Sequence, residues 1–379
     1  MERVFILGAG ASRELNFNII KTDRGIKIPV KIIPHKEIGP LSSGYFYYMN
    51  KLYDSLSKDL KILFQVKVSE SLMEQIKIYF NQEYDENISE KELLQKEKIS
   101  RKVNIEELYI YLEEKILELE EEKNDENLFQ SKSLLKLYLA KSDLLEYIHK
   151  SLSFISYYCN SNNYIFLSEY IARNGGNIIS FNWDILFEEA MIATGKWTPK
   201  DGYGINFNDI IYKNEKDKRR GILSKINSRN FILKPHGSIN WYSKDEQMNK
   251  QILFIQLNPN LRSGNFCLLE RYENGYYSSI FPPGVKRKSF PEVWHGMKNL
   301  LEQADEIIAI GFSFNDNDKY IKSEFSRKRF KKDLKIILIN PENEILRNIY
   351  IEVFCTDNIE IKYKTFNEYC QYLNKQKEI

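Results

Sequence analysis

An apolar run that ends directly in glycines constrains this chain more than any other feature. Val4–Leu7 is long enough for a buried strand, and Gly8-Ala9-Gly10-Ala11-Ser12 follows without a spacer. Strand-then-glycines is the layout of a dinucleotide site, where bare backbone lets a diphosphate approach peptide amides at a helix start. The G-x-G-x-x-G fingerprint fails, because Arg13 stands where its third glycine belongs. No Gly-Lys-Ser/Thr follows either, so this is not a P-loop.

Further segments read as buried parallel strands: Asn177–Phe181 (NIISF), Glu306–Ile310 (EIIAI), Leu334–Ile339 (LKIILI) and the FILKP of 231–235. Each ends in small or polar residues: NWD, GFSFND, NPEN and HGS. In open parallel sheets ligands sit outside the carboxyl ends of strands, so these termini are expected to converge on one crevice. Residues 51–165 differ, with apolar residues at helical spacing in ESLMEQIKIYF, IEELYIYLEEKILELEEE and SLLKLYLAKSDLLEYIHKSLSFISYY. The expected organisation is therefore a catalytic α/β domain of 1–50 and 166–379, interrupted by a helical insertion at 51–165. The acidic run Glu118–Glu122 reads as a solvated helix face, with a partner surface as the alternative. The tract at 213–220 (KNEKDKRR) reads as a surface loop, and FPPGVKRK at 281–288 as a rigid turn.

Composition excludes several classes. Lys+Arg 55 against Asp+Glu 53 gives a net charge of +2, which makes no electrostatic case for direct nucleic-acid binding. The four cysteines (Cys159, Cys267, Cys355, Cys370) form no CxxC, so neither a zinc ribbon nor a disulfide framework is expected. No ligand-spaced cluster suggests any metal. The first residues enter a strand with no signal-peptide pattern, and no apolar run is long enough to span a membrane; a cytoplasmic protein is the expectation.

Three motifs in order, GAGAS, SFNWDILFE (180–188) and KPHGSINW (234–241), together resemble the NAD-binding fold of sirtuins. The sirtuin G-A-G-x-S matches Gly8 to Ser12, T-Q-N-x-D-x-L is similar to Ser180 to Leu186, and H-G is matched by His236-Gly237. IGFSFND resembles their G-T-S turn, and LINPE the strand end that meets the adenosine ribose. The resemblance covers 1–50 and 170–345. Two departures are plain: the region 242–290 has one cysteine where sirtuin deacylases carry a four-cysteine zinc ribbon, and Phe181 replaces the glutamine beside Asn182. The pattern instead resembles the zinc-free, sirtuin-like NAD hydrolases of bacterial antiphage defence.

That resemblance implies a sirtuin-like Rossmann-type parallel sheet with helices on both faces, and NAD as substrate. It implies cleavage to ADP-ribose and nicotinamide, with protein deacylation or non-catalytic NAD or ADP-ribose binding as alternatives. Nicotinamide departs from a cationic ring nitrogen as a neutral molecule, so no general acid is needed. The site must stabilise an oxocarbenium-like transition state and deliver water. His236 suits the base, and Asn182 suits the orienting of water or a ribose hydroxyl. Asp184 is expected to hold the loop or bind the nicotinamide amide, beside Phe181. Ser12 and the amides of Ala9, Gly10 and Ala11, with Gly8, would take diphosphate, while Gly311, Ser313 and Asn340 would face the adenosine half. For Asn182 and Ser12 a helix-capping role is the structural alternative. His35, His149 and His295 are assigned no role. Trp241, Tyr242, Tyr276 and Tyr277 read as core rather than a stacking platform. Only about forty residues follow Leu334–Ile339, too few for a sensor domain. The resemblance thus implies control by homo-oligomerisation or by a hexameric ATPase partner of the HerA or FtsK translocase type.

Overall fold

The computed structural model describes residues 1–13, 16–17, 20–21, 27–28, 43–56, 61, 67–121, 132–205, 207, 209–211, 228–243, 252–255, 277–281, 290–314, 319–326 and 330–375. The tract at 213–220, most of FPPGVKRK, His35, Cys267, Tyr276 and the side chain of Tyr277 lie outside these. The chain divides into two compact units, one of Met1–Asn18 with Ile155–Ile379 and the other of Ile19–Phe154.

The first unit is built on a six-stranded sheet: β1 (Arg3–Leu7), β2 (Asn177–Ser180), β3 (Ile232–Leu233), β4 (Glu306–Ile310), β5 (Lys335–Ile339) and β6 (Ile359–Glu360). Its spatial order is 3-2-1-4-5-6 and every pairing is parallel. This is the doubly wound order, and its reversal falls between β1 and β4. The apolar strand runs follow from burial on both sheet faces: Phe5, Ile6, Leu7, Ile307, Ile308 and Leu338 are fully buried. Each such side chain contributes roughly 1.5–3 kcal/mol relative to exposure. Register is pinned at the amino edge, where Arg3 lies opposite Glu306 and its Nε donates to Glu306 Oε2 at 3.0 Å. Helix Asn343–Phe354 packs on β5, Pro291–Gln303 on β3, and Asn162–Asn174 on both Leu186–Ala193 and Phe366–Lys375. The expected α/β architecture is the one found.

A second sheet in this unit has the order Tyr277–Ile280, Gly237–Ser243, Ile252–Ile255, Asp209–Ile211, antiparallel except for its last pair. Gly237 opens it at φ 72, and a Cβ there would lie 1.7 Å from the Ser279 carbonyl oxygen. Only glycine fits. Trp241 and Tyr242 are buried in this region, Trp241 lying edge-on to Tyr203 and Phe290.

The second unit is helical, comprising Tyr45–Ser55, Glu70–Tyr84, Glu90–Gln95, Glu97–Ser100, Ile105–Glu121 and most of Lys132–Tyr158, with the two-residue strands Ile20–Lys21 and Lys27–Ile28. Ser69 caps Glu70–Tyr84 through Leu72 N, and Ser89 with Glu92 forms a capping box. Its core contains Phe46, Met49, Leu52, Leu72, Ile76, Leu93, Leu108, Leu112 and Leu144. The division falls at 18/19 and 154/155 rather than at the expected 50/51 and 165/166. The reason lies in side chains: Tyr48 bonds Glu97 and Arg101 within the helical unit. Tyr164, by contrast, bonds the β1 loop. Among the described residues no helix is long and apolar enough to cross a membrane.

Candidate functional site

The carboxyl ends of β1, β2, β4 and β5 come together. Gly8 N donates to Ile310 O at 3.0 Å, Phe181 N to Leu7 O at 2.9 Å and Gly311 N to Ile339 O at 2.9 Å. The turn Ala9–Ser12 then crosses the backbone of Gly311, with Gly10 N donating to Gly311 O at 3.1 Å. A Cβ on Gly8 would meet Gly311 O at 2.4 Å, and one on Gly10 would meet Gly311 Cα at 2.8 Å. Gly311 has φ 62, and its own Cβ would lie 2.4 Å from Ala11 N. The glycines thus allow two strand ends to cross in backbone contact. The Gly10 and Ala11 amides, expected to take diphosphate, donate instead to Gly311 O and Gly8 O.

Below that crossing lies a closed hydrogen-bond cycle. Ser12 Oγ donates to Asp184 Oδ2 at 2.8 Å, which uses its only proton. The Tyr164 hydroxyl, 2.8 Å from Ser12 Oγ, therefore donates to Ser12. Asn182 Nδ2 donates to Ser12 Oγ at 3.0 Å and to Tyr164 Oη at 3.2 Å. This logic fixes the Asn182 amide with nitrogen inward, leaving Oδ1 as the atom available to a ligand. All four side chains are buried, and burial, then the Asp184 carboxylate, pushes the Tyr164 hydroxyl well above its ordinary pKa. Asp184 Oδ1 also accepts from Leu186 N at 3.0 Å, so Asp184, not Asn182, secures the start of Leu186–Ala193. The turn Ala9–Ser12 has no side-chain cap, and the Ser12 hydroxyl positions Asp184 and Asn182 instead.

His236 occupies the tight turn Lys234–Gly237, closed by Gly237 N to Lys234 O at 3.0 Å. It is 6% exposed, and burial pulls its imidazole pKa down to about 3 against a hydrogen bond with the Phe181 backbone, which raises it. At neutral pH the ring is uncharged. Phe181 lies edge-on to it at 5.1 Å and stacks on Phe312 at 4.5 Å, so Phe181 is the apolar wall joining His236 to the β4 end. The two loops are cross-linked: Ile239 N donates to Trp183 O at 3.0 Å, and Lys234 Nζ to Asp184 O at 2.5 Å and Glu188 Oε1 at 2.6 Å.

The segments carrying Gly8 to Ser12, Phe181 to Asp184, His236 and Gly311 are thus brought together. Ser313, half-buried, follows Phe312, and Asn340 lies past the end of β5. Asn340 Oδ1 accepts from Glu342 N at 3.0 Å, a turn bond rather than an open acceptor. Tyr164, Lys234, Glu188 and Tyr203 were not anticipated. The K-P-H-G run held the nearest signal, a lysine two residues before the histidine. Among the described residues no group of His, Cys, Asp and Glu side chains could hold a metal ion.

No family model and no curated protein matches the chain. Similar solved structures include a Sir2 homologue complexed with NAD, at TM-score 0.37 and 14% identity over 65% of this chain and 76% of that one. A mutant Sir2 homologue with ADP-ribose gives TM-score 0.37 and 13% identity over 68% and 83%. A Sir2–p53 peptide–NAD+ structure gives 0.33 and 9% over 62% and 79%. Likenesses this distant assign no activity to the chain.

Proposed function

We propose that this chain is an NAD glycohydrolase, producing ADP-ribose and nicotinamide. The observation that carries the reading is that Ser12, on the β1 loop at the sheet's reversal point, locks the Asn182 amide together with Tyr164, while the neighbouring Phe181 holds an uncharged His236 against the Asn182 loop. Ligands of open α/β sheets bind at such a point. Trp183 Nε1, buried with no acceptor among the described residues, supports a site that expects a ligand or water oxygen.

In this reading Asn182 Oδ1 accepts from the attacking water or a ribose hydroxyl, fixing it near the anomeric carbon. Neutral His236 takes the proton, and the substrate's negative diphosphate favours that proton's arrival in a buried site. Nicotinamide leaves neutral, so neither general acid nor metal is required of the protein. The biological setting, NAD depletion in antiphage defence by a cytoplasmic homo-oligomer working with a HerA-type hexameric ATPase, is proposed from the sequence motifs alone.

The test is incubation of the purified chain with NAD and chromatography of the products. ADP-ribose without added peptide is the expected result. Acyl-ADP-ribose formed only with acyl-lysine peptide would mark a deacylase, and binding without turnover a non-catalytic module.

A further inference from the structure

We infer that Lys234 is a positioning residue that sets the spacing between Asn182 and His236; this rests on the NAD-cleaving reading. Lys234 is completely buried, and its two ends hold two different loops. Its Nζ donates to the carbonyl oxygen of Asp184 at 2.5 Å, two residues from Asn182. Its own carbonyl accepts from Gly237 N at 3.0 Å, closing the turn that carries His236. Glu188 Oε1, 2.6 Å from Nζ, balances the charge and also accepts from the Tyr203 hydroxyl at 3.3 Å, which in turn accepts from Asn240 Nδ2 at 3.3 Å. Burial raises the Glu188 carboxyl, and Lys234 opposes that rise.

A buried ion pair is weak grounds for stability, since neutral residues of similar volume often serve as well. What no neutral aliphatic side chain supplies is the bond to Asp184 O. That bond adds to the Ile239 N–Trp183 O bond, so the loop carrying Asn182 is tied to the His236 segment at two successive carbonyls. Glu188 then serves as the counter-ion that lets the ammonium reside there.

The experiment compares wild type with Lys234→Met, Lys234→Met/Glu188→Gln and Lys234→Arg. Lys234→Met alone strands a buried carboxylate and is expected to fold poorly. The neutral double variant keeps an acceptor for Tyr203 and is expected to fold, yet to lose about tenfold or more in kcat on NAD with KM changed less than about twofold. Lys234→Arg, which keeps the charge but not the geometry, is expected to show the same split. Wild-type kcat in the folded double variant would overturn the inference, because charge balance alone would then be the lysine's role. Failure of every variant to fold would also overturn it, making Lys234 a residue of the core. If wild type itself does not cleave NAD, the functional reading fails separately. The NMR signals of the His236 ring and the Trp183 indole still decide the inference: shifts between wild type and a folded variant support it, and coincident signals overturn it.

Discussion

The hydroxyl of Ser12 donates to the Asp184 carboxylate at 2.8 Å, joining residues 172 positions apart in the chain. The contact gives the serine of GAGAS a task within the protein: with its proton committed to Asp184, Ser12 must accept from both Tyr164 and Asn182. Orientation of the Asn182 amide therefore depends on a residue contributed by the first strand's loop.

Ser12→Ala removes an acceptor from Asn182 and a donor from Asp184 in a buried cycle. The expected loss of stability is about 1–3 kcal/mol, read from urea unfolding, together with slower NAD cleavage. A variant with unchanged unfolding midpoint would mean that water replaces the hydroxyl.

Asn182→Ala and His236→Ala are each expected to lower NAD cleavage by about a hundredfold or more while leaving the far-UV spectrum intact. Both side chains sit on strand-end loops rather than in the sheet core. Near-native turnover by either purified variant contradicts the assignment.

Acid sensitivity follows from His236. Its folded pKa of about 3 lies below its ordinary 6.5, so between these values the unfolded chain binds a proton that the native chain refuses. Its effect on stability is therefore absent above pH 6.5 and becomes increasingly destabilising as pH falls toward 3. His236→Gln is expected to flatten this part of the stability profile. Identical slopes in the two proteins would show that His236 does not titrate as described.

Gly311→Ala combines φ 62 with a Cβ 2.4 Å from Ala11 N, in backbone that has no freedom to yield. We expect a loss of at least about 2 kcal/mol, measured by thermal unfolding. Gly195→Ala is the control, with comparable positive φ and nothing within 4 Å of the added carbon. It should cost only about 1 kcal/mol.

Chelator treatment is expected to leave activity unchanged, measured as NAD turnover before and after dialysis against a strong chelator. Stoichiometric, tightly held zinc in the purified protein would overturn that expectation.

The sheet was legible because strands buried on both faces must be uniformly apolar, as in VFIL, EIIAI and LKIILI, and because their polar ends stand out against that background. Helical periodicity, in contrast, reports a buried face without saying which core receives it. This is why the helix carrying Tyr164 could not be assigned to the β1 loop in advance, and why the boundary moved. Gly8 and Gly10 were recognisable as positions of close approach, but not that the approaching group is Gly311. Lys234 and Glu188 lie 46 positions apart, and although Lys234 stands in the K-P-H-G run, nothing local announces their pairing.

A lysine with no exposed surface also provides an internal clock. Amine-reactive reagents label accessible lysines of a native protein readily, but Lys234 can react only when the Asp184 loop and the His236 turn separate. The rate at which Lys234 acquires label, followed by peptide mass spectrometry, therefore measures how often these two loops part, without substrate and at a single named atom.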